Sequence, residues 1–170
     1  MEILFYILLA IFITFTGVII YLFGILPSFS HSYYKLGKYG FVFQLVLGGV
    51  AAGMAPVFFT LTQGEWYQPV VFFLIPPLLF VAAAPKFEAP PGEYSLEKGV
   101  HGYSAGVAAI ASLVLVIGFA TTTTPEAFWT LPISAGLALL GYFLNEKQNP
   151  IWWAEYACFG WMFSSASLKF

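Results

Sequence analysis

The chain has 170 residues, of which 60% are hydrophobic and 8% are charged. Soluble domains carry about 25% charged residues, so this composition excludes a water-soluble globular surface. The charged residues are six lysines and eight glutamates, with a net charge of −2 and no arginine, and this excludes a basic stripe that binds nucleic acid. We therefore predict an all-α integral membrane protein, a transmembrane helical bundle without a nucleic-acid partner.

Apolar segments near 20 residues long, the length at which a helix crosses a bilayer, recur along the sequence. Six of them are predicted as transmembrane helices of one domain covering residues 1–170, at 3–26, 39–62, 69–85, 96–120, 127–144 and 151–168. The first lacks charge and is longer than a signal-peptide core, so we interpret it as a retained span. Pro76 and Pro77 remove backbone donors from the third span, which predicts that neighbouring helices pack against it.

The longest polar loop covers residues 85–98 and contains a predicted turn at Pro90-Pro91-Gly92. Ser95 is predicted to cap the N-terminus of the fourth span, because a serine hydroxyl accepts hydrogen bonds from the first helical turn. Glu97 follows within that turn, where a negative charge is favourable to the helix dipole.

Lysine placement predicts the orientation of the bundle. Five of the six lysines fall in the first, third and fifth loops, at positions 35, 38, 86, 98 and 147. The second and fourth loops contain none, and Lys169 lies at the C-terminus. The positive-inside rule then places the basic loops in the cytoplasm and both termini on the non-cytoplasmic side. We predict a bacterial inner (plasma) membrane location.

Aromatic residues near the predicted helix ends agree with this orientation, because tryptophan and tyrosine favour the membrane interfaces. The outer boundary is predicted to contain Trp66, Tyr67, Phe128 and Trp129. The inner boundary is predicted to contain Tyr33, Tyr34, Tyr39, Trp152 and Trp153.

Small residues at a spacing of four predict close helix packing. Gly49 and Gly53 form one GxxxG motif, Gly102 and Gly106 form another, and Ser134 with Ala138 gives a similar pair. Small side chains let two helix backbones approach closely in lipid. We predict that these contacts lie within one chain, with a homo-oligomer as the alternative.

Polar residues collect on the predicted cytoplasmic side. His31 follows the first span, Glu93, Glu97 and His101 open the fourth, and Asn149 and Glu155 open the sixth. Glu155 lies about 6 Å inside its span at 1.5 Å per residue. Because ionisable groups at that depth are costly unless paired, Glu155 indicates a site.

Two interpretations of this cluster remain open. In the first, His31, His101 and Glu155 hold Zn²⁺ and leave a fourth position for water, and His101 with Glu155 supports hydrolysis of a lipid amide or ester. In the second, which we prefer, no cofactor is present and Glu155 pairs with His101 or a lysine to fix the bundle.

Three short segments resemble a family of small six-span membrane proteins from bacteria and their phages, of the domain-of-unknown-function type. The segments are 28–40, the turn Ala84-Pro85 leading to His101, and the run from Asn149 to Glu155. The family pattern has Ser-x-Ser-Asp before an aromatic pair, and His31 stands where that aspartate is expected. The resemblance implies the six-span topology and implies no particular reaction.

Three functional classes follow from the sequence. The first, which we prefer, is a lipid-embedded bundle that acts as an interaction or assembly subunit with membrane lipids or other membrane subunits, and it fits the absence of soluble domains. The second is the interfacial hydrolase described above. The third is a channel or carrier for small solutes, which the scarcity of polar residues within the spans disfavours.

Overall fold

The computed structural model describes residues 1–84, 86 and 95–170. Three sequence predictions therefore lie outside the described residues. They are the end of the third span at Pro85, the turn at Pro90-Pro91-Gly92 and the position of Glu93.

The described chain is all-helical, which confirms the predicted all-α class. Six long helices coincide with the six predicted segments, and they are α1 Glu2–Phe23, α3 Phe41–Leu61, α4 Val71–Ala83, α5 Leu96–Thr122, α6 Thr130–Leu144 and α7 Pro150–Ser167. The short helix α2 Ser32–Lys35 and 3₁₀ turns at Phe29–His31, Gly37–Tyr39, Gln68–Val70 and Pro125–Trp129 connect them.

Four helical segments are long and apolar enough to cross a membrane: Glu2–Phe23, Gly37–Leu61, Leu96–Thr122 and Pro125–Leu144. The segment Gln68–Ala83 is apolar but shorter. Helix α7 has 18 residues, and Glu155 together with three serines lowers its apolar character. The structure thus shows a bundle with four helices of spanning character, and the six-span topology stays a prediction.

Five of the long helices surround a common core. Helix α3 packs against α1 and α4, α4 packs against α5, and α5 packs against α7. Aromatic contacts between α1 and α7 close the arrangement, with ring centroids of Phe12 and Phe159 4.7 Å apart. Helix α6 packs on the outside of α7. The predicted packing of the proline-containing helix is confirmed, because α4 lies between α3 and α5.

Two of the three predicted small-residue contacts are present within the chain. A side chain at Gly53 would approach Leu8 of α1, whereas one at Gly49 would meet no described residue within 4 Å. A side chain at Gly160 of α7 would approach Ser134 of α6. The prediction was wrong for Gly102 and Gly106. Both are exposed, and no described residue lies within 4 Å of the positions that their Cβ atoms would take, because α5 turns its opposite face towards α4 and α7.

Two aromatic residues predicted at the membrane boundaries are instead core residues. Trp66, Phe128 and Trp129 are exposed as expected, whereas Tyr67 and Trp152 are buried. The Tyr67 ring lies against Gly118 of α5, where the missing side chain leaves room for it. Its hydroxyl accepts a hydrogen bond from Thr122 Oγ1 at 3.2 Å.

Candidate functional site

One end of the bundle contains most of the polar residues selected from the sequence. Helices α1 and α4 end there, and α3, α5 and α7 begin there, so we call it the lysine end after Lys35, Lys38 and Lys98 nearby. Ser95 caps α5 as predicted, accepting a hydrogen bond from the Lys98 backbone N–H at 3.0 Å. At the same end, the Asn149 side-chain amide donates to the Ile25 carbonyl at 3.0 Å and joins the start of α7 to the end of α1.

Glu155 is the most deeply placed acid of this group. The backbone N–H of Phe29 donates a hydrogen bond to Glu155 Oε2 at 2.5 Å. The predicted pairing of Glu155 with His101 or a lysine is not observed among the described residues, where no cationic nitrogen lies within 4.0 Å of the carboxylate. The partner of the carboxylate is instead the Phe29 backbone N–H, because the turn at Phe29–His31 lies against the first turns of α7.

The two histidines make separate hydrogen bonds. His31 Nδ1 lies 2.8 Å from Ser28 Oγ, and His101 Nδ1 lies 2.9 Å from the Ala84 carbonyl oxygen. Because a carbonyl oxygen can only accept, the His101 Nδ1 carries a proton and donates it to Ala84.

The structure does not assemble the predicted zinc ligands. Within residues 1–84, 86 and 95–170, no three His, Cys, Asp or Glu side chains form a group that could hold a metal ion. Each of the three predicted ligands makes a hydrogen bond to a different residue: His31 to Ser28, His101 to Ala84, and Glu155 to Phe29. A zinc site at these three residues therefore stays a prediction without a structural basis in the described chain.

A cavity of about 220 Å³ begins beside Glu155 and extends into the bundle between α4, α5 and α7. Its walls are mostly aliphatic and small side chains, including Leu74, Leu78, Val81, Ala105, Ala108, Ala109, Phe159 and Met162. Ile151 and Ala154 also line the cavity and are exposed, so the cavity opens at the surface of the bundle near the lysine end.

Four polar side chains line the cavity. Ser30 and Glu155 belong to its lysine end, and Ser112 and Cys158 lie further along the helices. Ser112 is held in place because Trp161 Nε1 donates to its hydroxyl at 2.9 Å and the hydroxyl donates to the Ala109 carbonyl at 2.7 Å. The arrangement can hold a hydrocarbon chain along its length and a polar group at one end.

Sequence reasoning found Glu155 but missed the cavity. The small residues that shape its wall on α5 are Ala105, Ala108, Ala109 and Ser112. Their spacing of three and four places them on one helix face, which was the available signal. The neighbouring GxxxG motif lies on an adjacent, exposed face of the same helix.

Comparisons with protein-family models, with curated proteins and with solved structures found no match to this chain. The resemblance to small six-span membrane proteins therefore stays a prediction.

Proposed function

We propose that this chain is a six-span membrane protein that binds the hydrocarbon part of a lipid-like amphiphile in the cavity between α4, α5 and α7. The cavity is the observation that carries the proposal. Its volume of about 220 Å³ exceeds that of an engineered apolar cavity of about 150 Å³ that binds benzene in another protein. Apolar walls and a side opening suit a ligand that arrives from the surrounding hydrocarbon.

The length of the cavity supports a single chain from one leaflet. Its lining residues on α7 run from Ile151 to Met162. At 1.5 Å per helical residue this distance is about 16 Å. The hydrocarbon core of a bilayer is about 30 Å thick, so the cavity covers about half of it. An extended acyl or alkyl chain fits this depth with its polar end beside Glu155.

The proposed topology places the lysine end in the cytoplasm and both termini outside, in a bacterial inner membrane. The lysine distribution supports this orientation through the positive-inside rule. Helices α4 and α7 then provide the two remaining spans beside the four of clear spanning character. With this orientation the cavity opens towards the cytoplasmic leaflet.

Native mass spectrometry of the chain extracted in mild detergent tests the proposal. We expect the protein to retain a bound amphiphile, and Ala109→Trp to abolish retention by filling the cavity. Ala52→Trp, on an exposed face of α3, is the matched control and is expected to retain the ligand. Ala154→Trp at the opening provides a second test should Ala109→Trp fail to fold. Retention by both cavity variants would overturn the proposal.

The hydrolase alternative receives less support from this geometry. It requires His101 and Glu155 to act on one ligand. Glu155 lines the cavity, whereas the described lining residues include no histidine. An acid that lines the cavity with no histidine among the described lining residues favours binding over hydrolysis. The same sparse polar lining disfavours a path for hydrated solutes.

An assembly subunit is the second candidate, and one observation favours it. Gly102 and Gly106 form an exposed GxxxG face, a motif through which helices of separate chains associate. In a Cys158→Ser background, Gly106→Cys would then give a disulfide-linked dimer in membranes on oxidation. Ala52→Cys is the control on another exposed helix face, and equal crosslinking of both variants would contradict this role.

A further inference from the structure

Building on the proposed function, we propose that the ligand's polar end is a primary ammonium group, bound by Glu155 and Ser30 at the lysine end of the cavity. Both side chains line the cavity where it begins. The ligand is then a single-chain amphiphile with a protonated primary amine.

The first support is the unfilled acceptor capacity of Glu155. A carboxylate offers about four lone-pair sites, and the Phe29 N–H occupies one of them on Oε2. No cationic nitrogen of residues 1–84, 86 or 95–170 lies within 4.0 Å of it. An acid at this depth requires a partner, and the cavity is the side from which a ligand can provide it.

The second support is Ser30, which is buried with 2% of its surface exposed. Ser30 directly follows Phe29 in the same 3₁₀ turn, and Phe29 is the residue whose N–H donates to Glu155. Ser30 therefore lies next to the residue that holds the carboxylate, and it also lines the cavity. A primary ammonium has three N–H donors on one compact atom. It can therefore donate to the carboxylate and to the hydroxyl at the same time.

Charge separates the ammonium from other polar ends. Attraction between opposite charges is stronger in the low dielectric of the bundle than in water. A fatty acid would bring a second carboxylate towards Glu155 and be repelled. A fatty alcohol would make a hydrogen bond without charge attraction, and a quaternary ammonium would bring charge without an N–H donor.

Cys158 gives a direct readout, because it is the single cysteine of the chain and lines the cavity. The protein is placed in phosphatidylcholine nanodiscs, whose zwitterionic surface does not concentrate amines. Labelling of Cys158 by N-ethylmaleimide is then measured against dodecylamine, dodecyltrimethylammonium, dodecanol and laurate. We expect dodecylamine to protect the thiol at concentrations at least tenfold lower than the other three.

Glu155→Gln distinguishes binding of the ammonium group from binding of the hydrocarbon chain. It keeps an oxygen acceptor for the Phe29 N–H and removes the charge, so we expect it to abolish the tenfold preference while dodecanol still protects. Equal protection by all four compounds in the unmodified protein would overturn the ammonium assignment and leave the apolar cavity standing. Protection by none of them would overturn the proposed function itself. Ligand-induced shifts in thermal unfolding provide the second measurement.

Discussion

The backbone N–H of Phe29 and the carboxylate of Glu155 meet at 2.5 Å although 126 residues separate them in the chain. The contact joins the turn after α1 to the first turns of α7. The Phe29 side chain is itself buried and packs against Trp152 and Phe159. This hydrogen bond therefore joins the turn at Phe29 to α7 where both line the cavity.

Replacing Glu155 should destabilise the bundle, and the loss should be larger when the new side chain has no acceptor for the Phe29 N–H. Glu155→Ala leaves the Phe29 N–H without an acceptor, and we expect a loss of about 1–3 kcal/mol. Glu155→Gln retains an acceptor oxygen and should lose less. Thermal unfolding in detergent, followed by tryptophan fluorescence, measures both. Glu97→Ala, at an exposed helix start, is the control with a small effect. Equal losses for Glu155→Ala and Glu155→Gln would contradict the proposed role of the hydrogen bond.

Two glycines of α5 should respond oppositely to the same substitution. A Cβ at Gly118 would lie 2.3 Å from Cγ of Tyr67, which is fully buried, so Gly118→Ala should cost about 1–3 kcal/mol through overpacking. Gly102→Ala meets open space and should leave the unfolding temperature unchanged or raise it. The comparison uses one helix and one change of side chain. A loss of stability at Gly102 equal to that at Gly118 would contradict the packing described here.

The hydrogen bond from Trp161 Nε1 to Ser112 Oγ links α5 and α7 beside the cavity. A double-mutant cycle of Ser112→Ala and Trp161→Phe should give a coupling energy of about 0.6 kcal/mol, a typical value for polar contacts between membrane helices. The free energies of unfolding of the three variants and the unmodified chain provide the measurement. Strict additivity of the two substitutions would show that the hydrogen bond contributes no coupling.

The orientation of the bundle can be tested with single cysteines in a Cys158→Ser background. Gln63 and Gln148 are exposed and lie in the second and fifth connections. A membrane-impermeant maleimide applied to intact bacterial spheroplasts should label Gln63→Cys and spare Gln148→Cys, and lysis should expose both. The reverse pattern would place the lysine loops outside and contradict the proposed topology.

The helices were predictable because their signal is local. Long apolar segments separated by prolines, glycines and charges set the six helix positions, and Ser95 was identified as a cap from its own position beside the α5 start. Partners distant in the chain were not predictable in this way. Glu155 was expected to pair with a side chain, but it accepts a hydrogen bond from the Phe29 backbone. Tyr67 was expected at the membrane boundary, but its ring packs against Gly118. A residue pattern shows neither a distant backbone donor nor the space beside a distant glycine.

The sequence by itself determined that this protein is helical and apolar and that five of its six lysines, with His31, His101 and Glu155, fall at one end. These properties depend on residue type and on spacing along the chain, and both are read directly from the order of residues. Tertiary structure alone decided which face of α5 is buried, what binds Glu155 and where the cavity lies. Those depend on how helices distant in the chain rotate and pack against one another, because a cavity is a property of the space between them.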